Sequence, residues 1–411
     1  GQELCPSADV DSPAMSMPRS PFAPAAVLGA VLLTVVGGGC AGVDPRLESA
    51  KNLPGTLRSM GLEPGSVVIP FEITPEMRVW LKREVSSSGE DRQRLTALLQ
   101  ALFDRSGLQL EYESDFTVTA AEAFATHRAN CLSFTNLFVG LAREMGLPAY
   151  FLEVDDVQRF TREGDLVVVS GHVTAAYGPA KERIILDFTE GQAAGYHDVR
   201  EISDLRAIAL YYSNRGAGEL REGRHDEALR WLNMAVVLDP ELGGGWTNLG
   251  VARRRTGDYQ GAEQAYRQAL EVDPRAASAY QNLGALLKIR GRSEEADRLL
   301  EISRTLDSRN PFLYLDLGDV SVEQGRLEEA ERLYRRALRL DERIAESHAA
   351  MGLLFWRLGR RAEAERWLKR AEDRLTQQAA APGHIAEPAV AVRVTRLRAA
   401  LRPGSPAPSG A

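Results

Sequence analysis

The stretch His127-Arg128-Ala129-Asn130-Cys131-Leu132-Ser133-Phe134 decides how the first half of the chain is read. Behind Cys131 run Leu137, Phe138, Leu141, Ala142 and Met145, an apolar stripe at helical spacing. Gly146 and then Pro148 stop that helix, as glycine just past a helix end and proline shortly after commonly do. Cys131 is therefore placed at or near a helix N-terminus. Unpaired backbone N–H groups and the positive end of the helix dipole gather there, and both favour thiolate over thiol. Cysteine is also among the most buried residue types, so taken alone Cys131 reads as structural. Its surroundings shift that balance.

Downstream the period changes. Residues 149–154, 166–170, 172–177 and 183–188 are rich in Val, Ile, Tyr and Phe, and Gly164, Gly171, Gly178 and Pro179 separate some of them. They read as strands of an antiparallel sheet. His172 opens one strand and Asp187 lies near the end of the next, where neighbouring antiparallel strands can set them side by side. A thiol nucleophile needs a base, and the base needs an acceptor that fixes its tautomer. Cys131, His172 and Asp187 supply that set from a helix and two strands. Upstream, residues 75–84 and 91–103 read as amphipathic helices, and Thr119-Ala120-Ala121-Glu122 is a capping box opening a short helix.

Three ordered segments resemble the transglutaminase-like superfamily. They are Asn130-Cys131 through Leu141-Ala142-Arg143-Glu144-Met145-Gly146-Leu147-Pro148-Ala149, then Gly171-His172-Val173, then Leu186-Asp187-Phe188-Thr189. The resemblance covers about residues 103–189. It implies a papain-like α+β core, with Cys131 as nucleophile, His172 as base and Asp187 as orienting acid. It also implies thiol attack on an amide, a thioester, and resolution by water or an amine. The chain departs from the pattern at Val173-Thr174, where the family often has Ala-Trp, and at Ala129-Asn130, where a glycine is common. An oxyanion site needs a second donor besides the Cys131 N–H, and Trp80, Gln100 and Gln109 are all candidates.

The second half is repetitive. Gly216, Gly250, Gly284, Gly318 and Gly352 recur every 34 residues, and Ala228, Ala262, Ala296, Ala330 and Ala364 keep the same step. Ring residues Tyr212, Trp246, Tyr280, Tyr314 and His348 precede each glycine by four. From about residue 209 to 373 the chain resembles the tetratricopeptide family, which implies helix–turn–helix units stacked into a solenoid that binds proteins or peptides. Asn214, Asn248 and Asn282 stand two residues before three of the glycines. In peptide-binding members of that family this position hydrogen-bonds a ligand backbone, which makes the three a candidate peptide-binding ladder. Asp316 and Ala350 end it.

The N-terminus reads as an export signal. Met15, Met17 and Arg19 precede an apolar run from Ala25 to Val36, too short to span a bilayer. Gly37-Gly38-Gly39-Cys40-Ala41 resembles the lipobox of bacterial lipoproteins, departing from it at Gly37, and implies lipidation of Cys40. The expected organisation is a signal peptide at 15–40, a tether at 41–72, a transglutaminase-like domain at 73–207, five repeats at 208–376 and an Ala- and Pro-rich tail at 377–411. In that tail only residues 390–401 suggest a helix. The fold class is thus an α+β domain followed by an all-α solenoid.

A net charge of −7 gives no sign of nucleic-acid binding. Cys5, Cys40 and Cys131 sit in contexts too different for a disulfide framework. No His-x-x-x-His or Cys-x-x-Cys spacing points to a metal, and no cofactor is implied. Two readings follow. One is an exported, outer-membrane-anchored thiol hydrolase or transamidase facing the periplasm, with the solenoid recruiting a protein or peptide. The other is a catalytically silent scaffold lipoprotein.

Overall fold

In the computed structural model the described residues are 45–85, 88–104, 107–113, 117–163, 166–179, 183–186, 188, 199–306, 310–379 and 388–402. The apolar leader, Cys40 and Asp187 lie outside them. The described part of the chain opens with the helices α1 (Pro45–Ser59), α2 (Pro75–Glu84) and α3 (Asp91–Phe103). The first corrects the expected tether. Leu53 and Leu57 of α1, with Val67, Phe71 and Ile73 after it, are buried in the main core. The prolines and glycines of this segment disguised an apolar face that only its packing partners reveal.

Helix α4 (Ala120–Thr126) starts at the capping box of Thr119 and Glu122. His127 ends it in the left-handed region, at φ 58°. Strand β1 (Glu111–Tyr112) pairs in parallel with β2 (Arg128–Ala129), and α5 (Cys131–Glu144) follows at once. Strands β3 (Ala149–Glu163), β4 (Leu166–Tyr177), β5 (Ile184–Leu186) and β6 (Val199–Ile202) form one antiparallel sheet in the order β5-β4-β3-β6. Phe151, Val173, Ala175 and Leu186 share a core with Leu132, Phe134 and Phe138 of α5. Gly171 does not separate two strands as expected. It lies inside β4, where the pairing with β3 jumps from Val154↔His172 to Gln158↔Gly171. The extra residues, 155–157, are on β3, so the bulge belongs to that strand and β4 runs on through Gly171.

Five helix pairs then stack: α6 (Asp204–Arg221) with α7 (His225–Leu238), α8 (Gly243–Arg255) with α9 (Tyr259–Val272), and α10 (Ala277–Ile289) with α11 (Ser293–Thr305). The last two are α12 (Pro311–Glu323) with α13 (Leu327–Leu340), and α14 (Ala345–Arg357) with α15 (Arg361–Ala379). A Cβ on Gly250 would sit 2.4 Å from the Tyr266 ring, so the repeated glycine is the point where paired helices touch. In the last pair the neighbour of Gly352 is Leu397, from α16 (Pro388–Ala400). That helix buries Val394 and Leu397, Leu401 is buried just past its end, and Arg393 forks onto Asp319 at 2.8 and 2.7 Å. It therefore closes the end of the stack, as terminal repeats require.

The two halves share one core. Ala207, Ile208, Tyr211 and Tyr212 of α6 belong to the same apolar cluster as α1 and α5. Arg143, the arginine of the motif after Cys131, pairs both terminal guanidinium nitrogens with Asp204 at 2.8 and 2.9 Å. Its Nε donates to the Ala149 carbonyl at 2.8 Å, and its guanidinium lies over the Phe151 ring at 5.5 Å. Arg206 bridges Glu153 of β3 and Asp239 at the end of α7.

Candidate active site

The site is built on the N-terminus of α5. Asn130 is its cap: Oδ1 accepts from the Ser133 N–H and from Ser133 Oγ, both at 3.0 Å. Its Nδ2 donates to Thr117 Oγ1 at 2.6 Å. Ser133 Oγ in turn accepts the Val118 N–H at 2.8 Å. All of these side chains are buried, so the helix start is locked to the chain before α4. The cap satisfies one orphan donor and leaves Cys131 as the first helical residue, half-buried. Asparagine is among the favoured cap residues, a signal that was readable in the sequence but obscured by the family's usual glycine.

One turn on, Thr135 links the helix to the sheet. Its Oγ1 lies 2.8 Å from the Cys131 carbonyl oxygen and 3.4 Å from that of Val173. The first turn of α5 is therefore against β4 next to His172, which is buried. Asp187 itself is not among the described residues, but both its neighbours are fixed. Leu186 pairs with Ala175, and its carbonyl accepts from Thr174 Oγ1. Phe188 packs on Phe134 and Phe138 of α5, with ring centroids 6.1 and 5.9 Å apart, and stacks on Phe103 at 5.6 Å. Phe188, past the end of β5, is thus held against α5 at Phe134 and Phe138.

Of the candidate second donors, Trp80 is buried edge-on to Phe124, at 5.4 Å. Gln100 and Gln109 are exposed. Among the described residues, no group of three or more His, Cys, Asp or Glu could hold a metal ion.

The asparagine ladder carries an extended segment, and that segment is the chain's own β4. Asn282 Oδ1 accepts the Val167 N–H at 3.0 Å and its Nδ2 donates to the Val167 carbonyl at 2.8 Å. Asn248 holds Val169 in the same way, at 3.0 and 2.9 Å. Asn214 is half-buried and forms no such pair among the described residues. Sequence reasoning placed the ladder but not its occupant, because no local pattern joins residues more than 70 positions apart.

The transglutaminase-like superfamily model matches residues 80–177. Tetratricopeptide models match 209–233, 245–275, 265–298 and 318–359. No curated protein matches the sequence. Solved structures similar to the chain include MamA, 22% identical with a TM-score of 0.32, covering 40% of this chain and 96% of that one. TTC0263, a tetratricopeptide protein of Thermus thermophilus, is 20% identical with a TM-score of 0.38, covering 46% and 99%. Pseudomonas aeruginosa PilF is 23% identical with a TM-score of 0.36, covering 49% and 95%. The chain joins a transglutaminase-like domain of helices and strands to a long all-helical tetratricopeptide solenoid, a fusion that supports a part in protein–protein interaction.

Proposed function

We propose that the chain is a thiol-dependent amide hydrolase or transamidase of the transglutaminase-like class. One observation carries this reading: Cys131 stands half-open at the first position of a helix whose start is locked, with the β4 backbone beside His172 touching its first turn through Thr135. In the proposed reaction His172 takes the thiol proton and the sulfur attacks the amide carbon. The C–N bond breaks, the amine leaves with the proton returned from the imidazolium, and water or a second amine resolves the thioester. Asp187 holds the imidazole in the working tautomer. The solenoid brings the protein or peptide substrate to the domain.

The test is release of amine from peptide amides, together with incorporation of a labelled primary amine. Cys131→Ala and His172→Ala are each expected to abolish both, and Asp187→Asn to cost less than either. Turnover that survives Cys131→Ala ends the proposal. We further propose export and lipid anchoring at Cys40, supported by the small residues before it and the short apolar run. A diacylglyceryl mass shift lost in Cys40→Ser is the expected result, and wild-type protein without that shift excludes the anchor.

A scaffold reading draws support from a different feature. The domain shares its core with the first helix pair and fills part of the solenoid's surface, as a silent structural cap also would.

A further inference from the structure

Strand β4 carries two things at once: the stretch around Val167 and Val169 held by the solenoid, and His172 three residues further on. In an antiparallel ladder, successive residues turn their N–H and C=O groups to opposite sides. Val167 and Val169 give theirs to Asn282 and Asn248, on the side away from β3. Among the described residues, β5 pairs with that side of β4 at 175–177, and the solenoid takes the place of a neighbouring strand at Val167 and Val169. Each asparagine amide accepts from and donates to one residue, as a neighbouring strand does. Both side chains are fully buried. The Val169 N–H can only donate, which fixes the amide's direction, and Asn248 Nδ2 is also within 3.3 Å of Ser213 Oγ.

The side chains of the held stretch divide between two solenoid clusters. Val168 belongs with Leu249 and Leu283, and Val167 with Phe312, Tyr314 and Leu315. Two grips spaced two residues apart fix the register of a strand, and a slip of one residue would reverse every side chain on it. Register matters most here, because the pairing with β3 is already broken between Val154 and Gln158, beside His172.

We propose that Asn248 and Asn282 are positioning residues for His172: by clamping the β4 edge, the solenoid sets the reach of the base toward Cys131. This rests on the reading of Cys131 and His172 as a thiol–imidazole pair. The two asparagines act through the strand and touch no substrate. The solenoid is then a working part of the site as well as a recruiting surface. A partner's extended segment entering these two positions would displace the strand that bears the base.

The experiment compares the full wild-type chain with Asn248→Ala/Asn282→Ala. The first readout is hydrogen exchange of the peptide spanning 166–177, and the second is the pH profile of Cys131 alkylation by iodoacetamide, read on the Cys131 peptide by mass. The double variant is expected to exchange about tenfold faster or more in β4, with α8 to α11 protected as before. Its alkylation profile is expected to move toward that of His172→Ala. Val169→Pro deletes the strand's own donor and leaves both asparagines intact, so it is expected to act in the same direction and serves if the double variant does not fold. Unchanged exchange in β4 overturns the clamp. Faster exchange with a wild-type alkylation profile overturns positioning and leaves a purely structural contact. If His172→Ala leaves the wild-type profile unmoved, the thiol–imidazole reading itself fails, and the positioning role fails with it.

Discussion

Cys131 is ordinary as a residue and is made special by its neighbour. Asn130 fixes where the helix begins, and so decides that the thiol sits on the first helical residue. Replacing a capping asparagine by alanine typically costs about 1 kcal/mol, and about 2 in demanding sites. Asn130→Ala is expected to reach the upper end, because it also takes the buried acceptor from the Ser133 hydroxyl and the buried donor from Thr117 Oγ1. Denaturant unfolding measures the loss, and Cys131 alkylation should slow in parallel. His348 offers a second residue-scale test. It stands in the column held elsewhere by Tyr and Trp, buried against Trp367 at 5.6 Å, with Nε2 donating to the Glu342 carbonyl at 2.8 Å. Burial first, and then Arg374 and Arg370, push its pKa below the ordinary 6.5. The unfolded chain takes up a proton near that value while the folded chain does not. Stability from this site is therefore full above about pH 6.5 and lost as the pH falls through the lowered folded value. His348→Tyr is expected to melt with a flatter pH dependence than wild type between pH 7.5 and 5.5, and an unchanged difference would refute it.

At the scale of elements, the 34-residue glycine column is a set of helix contacts with unequal tolerance. An added Cβ would meet the Tyr266 ring at 2.4 Å from Gly250 and the Tyr334 ring at 2.3 Å from Gly318. From Gly284 it would meet Leu300 Cγ at 3.0 Å, and a leucine can turn aside. Alanine gains about 1 kcal/mol of helix propensity over glycine, while overpacking costs about 1–3 kcal/mol. Gly250→Ala and Gly318→Ala are thus expected to destabilise, and Gly284→Ala to be close to neutral, as thermal melting of the three variants will rank them. The bounds of α2 and α3 and the capping box of α4 were legible because apolar spacing and cap residues are local signals. The continuity of β4 through Gly171 was not, because the partner strand and the solenoid hold it straight.

At the scale of the molecule, the motif arginine is a strut between halves. Arg143 and Asp204 are almost wholly enclosed, with side-chain exposures of 11% and 9%. Removing one member of such a pair leaves a buried charge and costs about 3–5 kcal/mol. Arg143→Ala is expected to lower stability by that order. It should also loosen the domain and the first helix pair together, since they share a core. Hydrogen exchange that loosens the domain while leaving α6 and α7 as protected as in wild type would show two independent units instead.

The sequence by itself determined the two architectures, the repeat period, the helix that Cys131 opens, and the residue types able to do thiol chemistry. These follow from short-range rules: apolar spacing, caps, and a period repeated five times. Tertiary structure alone decided that the supposed tether packs into the core, that Arg143 joins the domain to the first helix pair, and that Asn248 and Asn282 close on the chain's own strand. The physical reason is the same in each case. A backbone N–H, a carboxylate or an apolar face advertises a need for a partner, but the chain does not say which distant segment will meet that need until it folds.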